Sequence, residues 1–223
     1  MPFTFYYFPL SQPSRAVLAF IELTKIPHEK KVINILTGDN HTPHYLKINP
    51  LGKVPAIDDD GFSFGEGETI IRYLINTKKT GEEFYPPDPK KRVLIDRYFP
   101  FHHESVRTSL LPYFQSHYPE LWPELEGQKE SLEKKVEATL KKFEENYLGN
   151  LHYLGGESLS IADFFALGEL MTTYYSTDFD FDKFPLIKAY IERSLENPVI
   201  LEINKPVAEF REMLHQKEAQ QKV

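Results

Sequence analysis

A proline-rich segment limits what this sequence can fold into. Residues 80–89, TGEEFYPPDP, place three prolines in four positions, which excludes regular backbone hydrogen bonding and favours an extended connection. Charge also changes across this segment, because residues 1–79 carry 9 basic and 8 acidic side chains whereas residues 80–223 carry 17 and 25. We therefore predict two domains, 1–79 and 89–223, joined by a linker at 80–88.

The two predicted domains differ in their secondary-structure signals. In the first, the elements expected in order are a strand at 3–8, a helix at 13–25, a strand at 28–34, a hairpin at 53–58 and 61–64, and a helix at 66–78. This order predicts a mixed α/β domain. The sequence of the second domain predicts helices throughout, at about 89–117, 123–147, 160–174, 184–196 and 205–219. Pro100 is expected to kink or interrupt the first of these helices.

Composition excludes several classes of function. The sequence has no cysteine, so a protein thiolate, a zinc–thiolate site and a disulfide are excluded, and any sulfur chemistry must use the sulfur of a ligand. A net charge of −7 offers no cation excess for nucleic acid or an anionic membrane. We expect neither as a partner, and we expect no metal site because the histidine pairs lack converging ligands.

Targeting signals are also missing from the sequence. No apolar stretch reaches the roughly 18 residues that a spanning helix needs. The N-terminus, MPFTFYYF, has no basic region and no small-residue cleavage site. We therefore expect a cytoplasmic protein.

Residues 10–17, LSQPSRAV, place a hydroxyl group just before a helix that a proline opens. A helix N-terminus offers unpaired N–H groups and positive partial charge, which stabilise an anion. Ser11 could donate a hydrogen bond to a sulfur or oxygen anion held there. The alternative is that Ser11 or Gln12 only caps the helix.

Two further segments carry features of a ligand site. Residues 49–57, NPLGKVPAI, contain an X-Pro bond that could turn the Val54 backbone toward a peptide ligand, with the Lys53 cation beside it. Residues 64–74, FGEGETIIRYL, form a glycine-flanked helix start whose N–H groups could bind a carboxylate.

In this order, the three segments resemble the glutathione-binding domain of the glutathione transferases. The patterns L-S-Q-P-x-R-A-V, N-P-x-x-K-V-P-A and E-x-x-x-I-x-x-Y-L are most similar to the serine-using theta type. Ser160 and Asp163 are similar to the S-x-x-D capping box of the family's second domain. The resemblance covers nearly the whole chain and implies a thioredoxin-like domain followed by a helical bundle. It also implies a homodimer that uses glutathione as co-substrate, without a tightly bound cofactor.

The resemblance assigns roles to individual residues. Ser11 would hold the glutathione thiol as thiolate for attack on small hydrophobic electrophiles, with reduction of organic hydroperoxides as a further reaction. The residues implied in glutathione binding are Gln12, Asn40, His41, Lys53, Val54, Pro55, Glu66 and Gly67. Those implied in the electrophile pocket are Phe8, Leu10, Arg107, Leu111, Phe114 and Tyr174.

Some positions depart from the family pattern. Gly67 replaces the usual Ser or Thr, which predicts weaker glutathione binding. A two-residue slip would align Glu68 and Thr69 with the family pair instead, but Tyr73 and Leu74 would then fall out of register, so we prefer Glu66 and Gly67. Asn40 stands where theta-like members often have histidine, with His41 adjacent. Theta members commonly continue with a segment that covers the site, whereas this sequence ends in the polar tail Lys217–Val223, so we expect a more open pocket.

Alternative functions stay open at this point. Many relatives activate the thiol with a tyrosine, but Tyr6 and Tyr7 are out of register with Arg15, so we expect them to pack in the first strand. A non-catalytic binding or scaffold protein of the same fold would need no activated thiol. A glutathione-dependent isomerase or lyase would return glutathione unchanged.

Overall fold

A computed structural model of the chain describes residues 2–221. Its sheet contains four strands in the order β2–β1–β3–β4: β1 (Phe3–Tyr7), β2 (His28–Val32), β3 (Ala56–Asp59) and β4 (Phe62–Gly65). Helix α1 (Gln12–Thr24) connects β1 to the parallel strand β2, and β3 is antiparallel to both β1 and β4. Helices α2 (Pro43–Ile48) and α3 (Gly67–Lys78) complete this mixed α/β domain.

The rest of the described chain is helical, as the sequence predicts. Its helices are α4 (Pro89–Asp96), α5 (Tyr98–Phe101), α6 (Arg107–Gln115), α7 (Lys129–Phe143), α8 (Ile161–Ser176), α9 (Pro185–Leu195) and α10 (Pro198–Gln221). Helix α8 lies at the centre of this domain, and most of its residues are buried. Within residues 2–221, no helix combines the length and apolar character needed to cross a bilayer.

Two helix boundaries differ from the sequence prediction. The helix predicted at 89–117 is interrupted near Pro100, as expected, and continues into α6 through a wider π-type turn at His102–Val106. The helix predicted at 205–219 instead begins at Pro198, because the side-chain carbonyl of Asn197 accepts the N–H of Val199 at 2.9 Å. It then continues through Pro206. Residues 222 and 223, and the side chains of 217–221, lie outside the described part of the chain, so the effect of the polar tail stays a prediction.

The predicted capping box is present at the start of α8. The Ser160 N–H donates to Asp163 Oδ2 at 2.7 Å, and the Leu154 N–H and the Tyr190 hydroxyl donate to Oδ1 at 2.8 and 2.9 Å. These donors compensate for the burial of a carboxylate. The predicted linker is itself packed, with the Phe84 ring 5.2 Å from the Phe164 ring in α8.

Arg15 and Gly168 hold α1 against α8. The buried Arg15 side chain donates to the Leu10 carbonyl at 2.7 Å, the Gly168 carbonyl at 2.7 Å, Thr172 Oγ1 at 2.5 Å and Asn204 Oδ1 at 3.0 Å. A Cβ at Gly168 would lie 2.8 Å from the Gln12 carbonyl oxygen. The first turn of α1 therefore lies in direct contact with the helical domain.

Candidate functional site

Two adjoining cavities lie between the domains. The polar cavity has a volume of about 430 Å³ and the apolar cavity about 450 Å³. Lys53, Val54 and Arg107 line both, so they mark the boundary between them. The polar cavity is also lined by Pro13, Asn49, Pro55, Glu66, Gly67, Glu68, Thr69, His102, His103 and Phe165. The apolar cavity is also lined by Phe8, Leu10, Ser11, Gln12, Ile35, Leu36, Asn40, Gly52, Leu111, Phe114, Gln115, Trp122 and Phe210.

Ser11 is both a helix cap and a cavity residue. Its Oγ accepts the Ser14 N–H at 3.4 Å, which identifies it as the N-cap of α1. A hydroxyl that accepts one hydrogen bond can still donate its own hydrogen. The first turn of α1 contains no acidic residue, so the positive partial charge of the helix terminus is not neutralised locally. The capping and anion-binding interpretations of Ser11 are therefore compatible.

Two side chains hydrogen-bond to the backbone next to Val54. The Lys53 carbonyl accepts the Tyr45 hydroxyl at 2.6 Å and Asn49 Nδ2 at 2.7 Å. The Val54–Pro55 peptide bond is cis. The N–H and C=O of Val54 form no hydrogen bond with residues 2–221, which leaves both groups for a peptide ligand.

Asn40 and His41 lie next to this backbone. Asn40 Nδ2 donates to the Gly52 carbonyl at 2.7 Å and lies 3.2 Å from His41 Nε2. Asn40 Oδ1 is buried and has no partner among the described residues. The structure thus brings Asn40 and His41 next to the Gly52–Lys53 backbone, although His41 itself does not line either cavity.

Glu66 and Gly67 begin α3 at the other end of the polar cavity. Glu66 has a φ of 67°, a strained conformation for a residue with a side chain, and it forms no ion pair with the described residues. Glu68, by contrast, binds His103 Nε2 at 2.6 Å and Arg72 at 3.2 Å. Glu66 is therefore the carboxylate left for a ligand, in agreement with the preferred alignment over the two-residue slip.

Gly67 leaves room for an aromatic ring of the second domain. A Cβ at this position would lie 2.9 Å from Phe165 Cζ and 3.3 Å from Val17 Cγ2. Phe165 is buried and packs edge-to-face against Phe99 and His102, with ring centroids 5.6 and 5.8 Å apart. The ring occupies space that a serine side chain would need.

Five of the six residues predicted for the electrophile pocket line the apolar cavity, namely Phe8, Leu10, Arg107, Leu111 and Phe114. Tyr174 is the one that the structure places elsewhere. Its ring packs against Phe181, with centroids 5.7 Å apart, and lines neither cavity. Because α8 is buried on nearly all sides, its sequence has no polar face that would show where each aromatic side chain points.

Sequence reasoning missed Trp122 and Phe210 in the apolar cavity. The ring centroids of Trp122 and Phe114 lie 5.7 Å apart, and Phe210 of α10 belongs to the same cluster.

Sequence reasoning also missed Glu169, a carboxylate only 1% exposed that accepts a hydrogen bond from Arg107 at 2.5 Å. Burial raises the pKa of Glu169, and the nearby Arg107 opposes this effect. A carboxylate within the apolar run FFALGELM is a signal that could have revealed it, since such a group needs a cationic partner.

The two tyrosines of β1 lie elsewhere. The Tyr6 ring packs edge-to-face against Tyr45, with centroids 5.9 Å apart. Tyr7 stacks on Phe5 at 5.3 Å and lines a separate groove between α1 and α10. Neither residue lines the polar or the apolar cavity.

Sequence comparison matches both domains of the chain. The family described as glutathione S-transferase, N-terminal domain, matches residues 5–82, and the glutathione S-transferase C-terminal domain matches residues 98–198. Human glutathione S-transferase theta-1 is 32% identical over 168 residues, which cover 73% of this chain and 69% of the relative. Mouse glutathione S-transferase theta-3 is 30% identical over 193 residues, which cover 82% and 78%.

Solved structures show the same arrangement of the two domains. Human glutathione transferase theta-2 in complex with glutathione and an unknown ligand superposes with a TM-score of 0.86 at 26% identity, covering 96% of this chain and 91% of that structure. A human theta-class enzyme with the glutathione conjugate of 1-menaphthyl sulfate gives a TM-score of 0.86 at 26% identity, covering 98% and 92%. The predicted thioredoxin-like domain followed by a helical domain is confirmed.

Proposed function

Since this chain belongs to the glutathione S-transferase family and is similar to its theta class, we propose that Ser11, which lines the apolar cavity, activates the thiol of its co-substrate glutathione. The observation that best supports this proposal is the position of Ser11. It lines the apolar cavity, caps a helix without acidic residues in its first turn, and keeps a hydroxyl hydrogen to donate.

Thiol activation follows from elementary electrostatics. A free thiol has a pKa of about 8.5, so only a few per cent is thiolate at neutral pH. A hydrogen bond from Ser11 and the field of the α1 N-terminus both stabilise the anion. Lowering the pKa by about one to two units raises the thiolate fraction severalfold or more.

The surrounding residues place the tripeptide so that its sulfur meets Ser11. Its γ-glutamyl end would bind in the polar cavity, with its amine near Glu66 and its carboxylate at the N–H of Gly67. Its cysteinyl unit would pair with the free N–H and C=O of Val54, which precedes Pro55. Its glycine carboxylate would lie near Lys53 and His41, with Gln12 and Asn40 alongside.

The electrophile would occupy the apolar cavity, whose lining is aromatic and aliphatic. The thiolate attacks the electrophilic carbon, a C–S bond forms, and the leaving group departs with its electron pair. With an organic hydroperoxide, the thiolate attacks an oxygen, the O–O bond breaks, and the alkoxide takes a proton. A second glutathione then reduces the sulfenic acid to disulfide and water. Such reactions suit the detoxification of reactive compounds.

The test is a comparison of Ser11→Ala with Tyr7→Phe. Losing a hydrogen bond to a charged group costs about 1.5–3 kcal/mol, so Ser11→Ala should lower kcat/KM for conjugation at least about tenfold. The pKa of the bound glutathione thiol, measured from thiolate absorbance as a function of pH, should rise. Calorimetry should show little change in glutathione affinity. Tyr7→Phe, which removes the hydroxyl of a strand tyrosine outside both cavities, should behave like the wild type. Unchanged turnover in Ser11→Ala would exclude serine activation.

Assembly and location form part of the same proposal. The homodimer is proposed from membership of the family, and Phe62 and Val93, each 59% exposed, are apolar side chains that a second copy could cover. We place this homodimer in the cytoplasm, where glutathione is kept reduced. Light scattering after gel filtration should give twice the mass of one chain, whereas a monomeric mass would contradict the dimer.

A further inference from the structure

Arg107 and Glu169 form an ion pair where the two cavities meet. The Arg107 side chain is 34% exposed and lines both cavities, whereas Glu169 lies behind it in α8 and is 1% exposed. Arg107 Nη1 donates to Glu169 Oε1 at 2.5 Å. Arg107 forms no second hydrogen bond with the described residues, so the remaining donors of its guanidinium are free.

Of the two guanidinium groups near Glu169, Arg107 is the one that its carboxylate affects more strongly. Its Oε2 is buried and has no hydrogen-bond partner among residues 2–221. The other nearby guanidinium, Arg15, donates to the neutral oxygen atoms of Pro9, Leu10, Gly168, Thr172 and Asn204 instead. A buried carboxylate in a medium of low polarity has a strong field, and here that field opposes Arg107, one of the two cations, with Lys53, that line both cavities.

We propose that Glu169 weakens the binding of anionic electrophiles in the apolar cavity by cancelling the positive charge of Arg107, and so favours uncharged ones. The proposal rests on the proposed function only in taking this cavity as the electrophile site. Glu169 is a positioning and selectivity residue, since its burial excludes direct contact with substrate.

The single tryptophan of the chain makes the proposal measurable without turnover. Trp122 lines the apolar cavity, so a nitroaromatic compound bound there quenches its fluorescence. Two probes of nearly equal shape are suitable, namely the anion 4-nitrobenzenesulfonate and the neutral 4-nitrobenzenesulfonamide. Titrations contain no glutathione, so they are independent of thiol activation by Ser11.

Glu169→Gln keeps an oxygen acceptor for Arg107 but removes the negative charge. We expect sulfonate to bind about tenfold more tightly to this variant, as expected for a partly screened unit charge at close range, with sulfonamide affinity changed less than about twofold. Glu124→Gln is the matched control, because it removes the same charge from an exposed residue close to Trp122. It should change neither affinity. Unchanged or weaker sulfonate binding to Glu169→Gln would overturn the proposal.

A second variant keeps the proposal testable if Glu169→Gln does not fold. Arg107→Gln alone should change sulfonate affinity less than about threefold, because an unpaired buried Glu169 takes up a proton, so that both charges of the pair are lost and its net charge stays zero. In the Glu169→Gln background, the same Arg107→Gln change should abolish the tenfold gain. A tenfold or greater loss of sulfonate affinity in Arg107→Gln alone would show that Arg107 acts as a free cation, and would refute the proposal.

Turnover provides the functional comparison. With an arylmethyl sulfate and the corresponding arylmethyl chloride, Glu169→Gln should raise the sulfate-to-chloride ratio of kcat/KM by about the same factor as the sulfonate affinity, mainly through KM. An unchanged ratio would contradict the proposal. Loss of all turnover together with normal fluorescence titrations would instead count against the proposed transferase function alone.

Discussion

Gly67→Ser restores the hydroxyl that the wider family has at this position. The packing of the second domain predicts that this substitution lowers stability and does not improve glutathione binding. The new Cβ would lie 2.9 Å from Phe165 Cζ and 3.3 Å from Val17 Cγ2. Phe165 cannot easily move away, because Phe99 and His102 pack against its ring. Overpacking of this kind costs about 1–3 kcal/mol, whereas the added hydrogen bond to a bound carboxylate contributes about 1 kcal/mol.

The single substitution should therefore lower Tm by about 2–12 °C, at 2–4 °C per kcal/mol for a chain of this size, without improving glutathione binding. Gly67→Ala is the control, since it adds the same Cβ but no hydroxyl, and it should show the same loss of Tm. In the Phe165→Leu background, where the ring is gone, Gly67→Ser should bind glutathione about fivefold more tightly by calorimetry than Phe165→Leu alone. The reasoning is refuted if Gly67→Ser alone binds fivefold more tightly with an unchanged Tm.

Two further predictions concern stability. Arg15→Lys keeps a buried charge but cannot reach the same set of acceptors on α8 and α10, so we expect a loss of about 3–5 kcal/mol in urea unfolding; a loss below about 1 kcal/mol would contradict this role. Burial lowers the pKa of His102 from 6.5 to about 3, so the unfolded chain binds the proton more readily than the folded one. The stability from neutral His102 is present above pH 6.5 and is lost as the pH falls toward 3, amounting to about 2 kcal/mol by pH 5. His102→Gln should flatten this part of the stability profile between pH 7 and 5, and an unchanged slope would exclude His102 as its source.

Local patterns predicted the elements whose signals lie in their own residues. The aromatic run of β1, the proline-opened start of α1 and the reciprocal pair Ser160 and Asp163 are of this kind. Helix α2 was missed because six residues are too few for a periodic signal. It is stabilised from outside by the Thr42 cap and by the Tyr45 hydroxyl that donates to the Lys53 carbonyl.

The candidate site divides in the same way. Ser11, Val54 and Glu66 stand in motifs close to one helix start or one turn, so the sequence singled out their segments, and the family resemblance then assigned their roles. Trp122 and Glu169 come from segments that meet the cleft only after the helical domain has packed. Tyr174 shows the limit most clearly, because the direction of a side chain on a helix buried on nearly all sides depends on its neighbours and not on its own sequence.

Gly168 has a consequence for how this site can change. Because the Gln12 carbonyl occupies the space of its missing Cβ, even an alanine at this position would push the first turn of α1 outward, and the Ser11 hydroxyl would move with it. The location of the Ser11 hydroxyl thus depends on a residue about 150 positions away that has no side chain to contribute. A chimaera that joins the first domain to a different helical domain would therefore keep Ser11 but not the contact that positions it. To keep that position, the two domains have to be exchanged together.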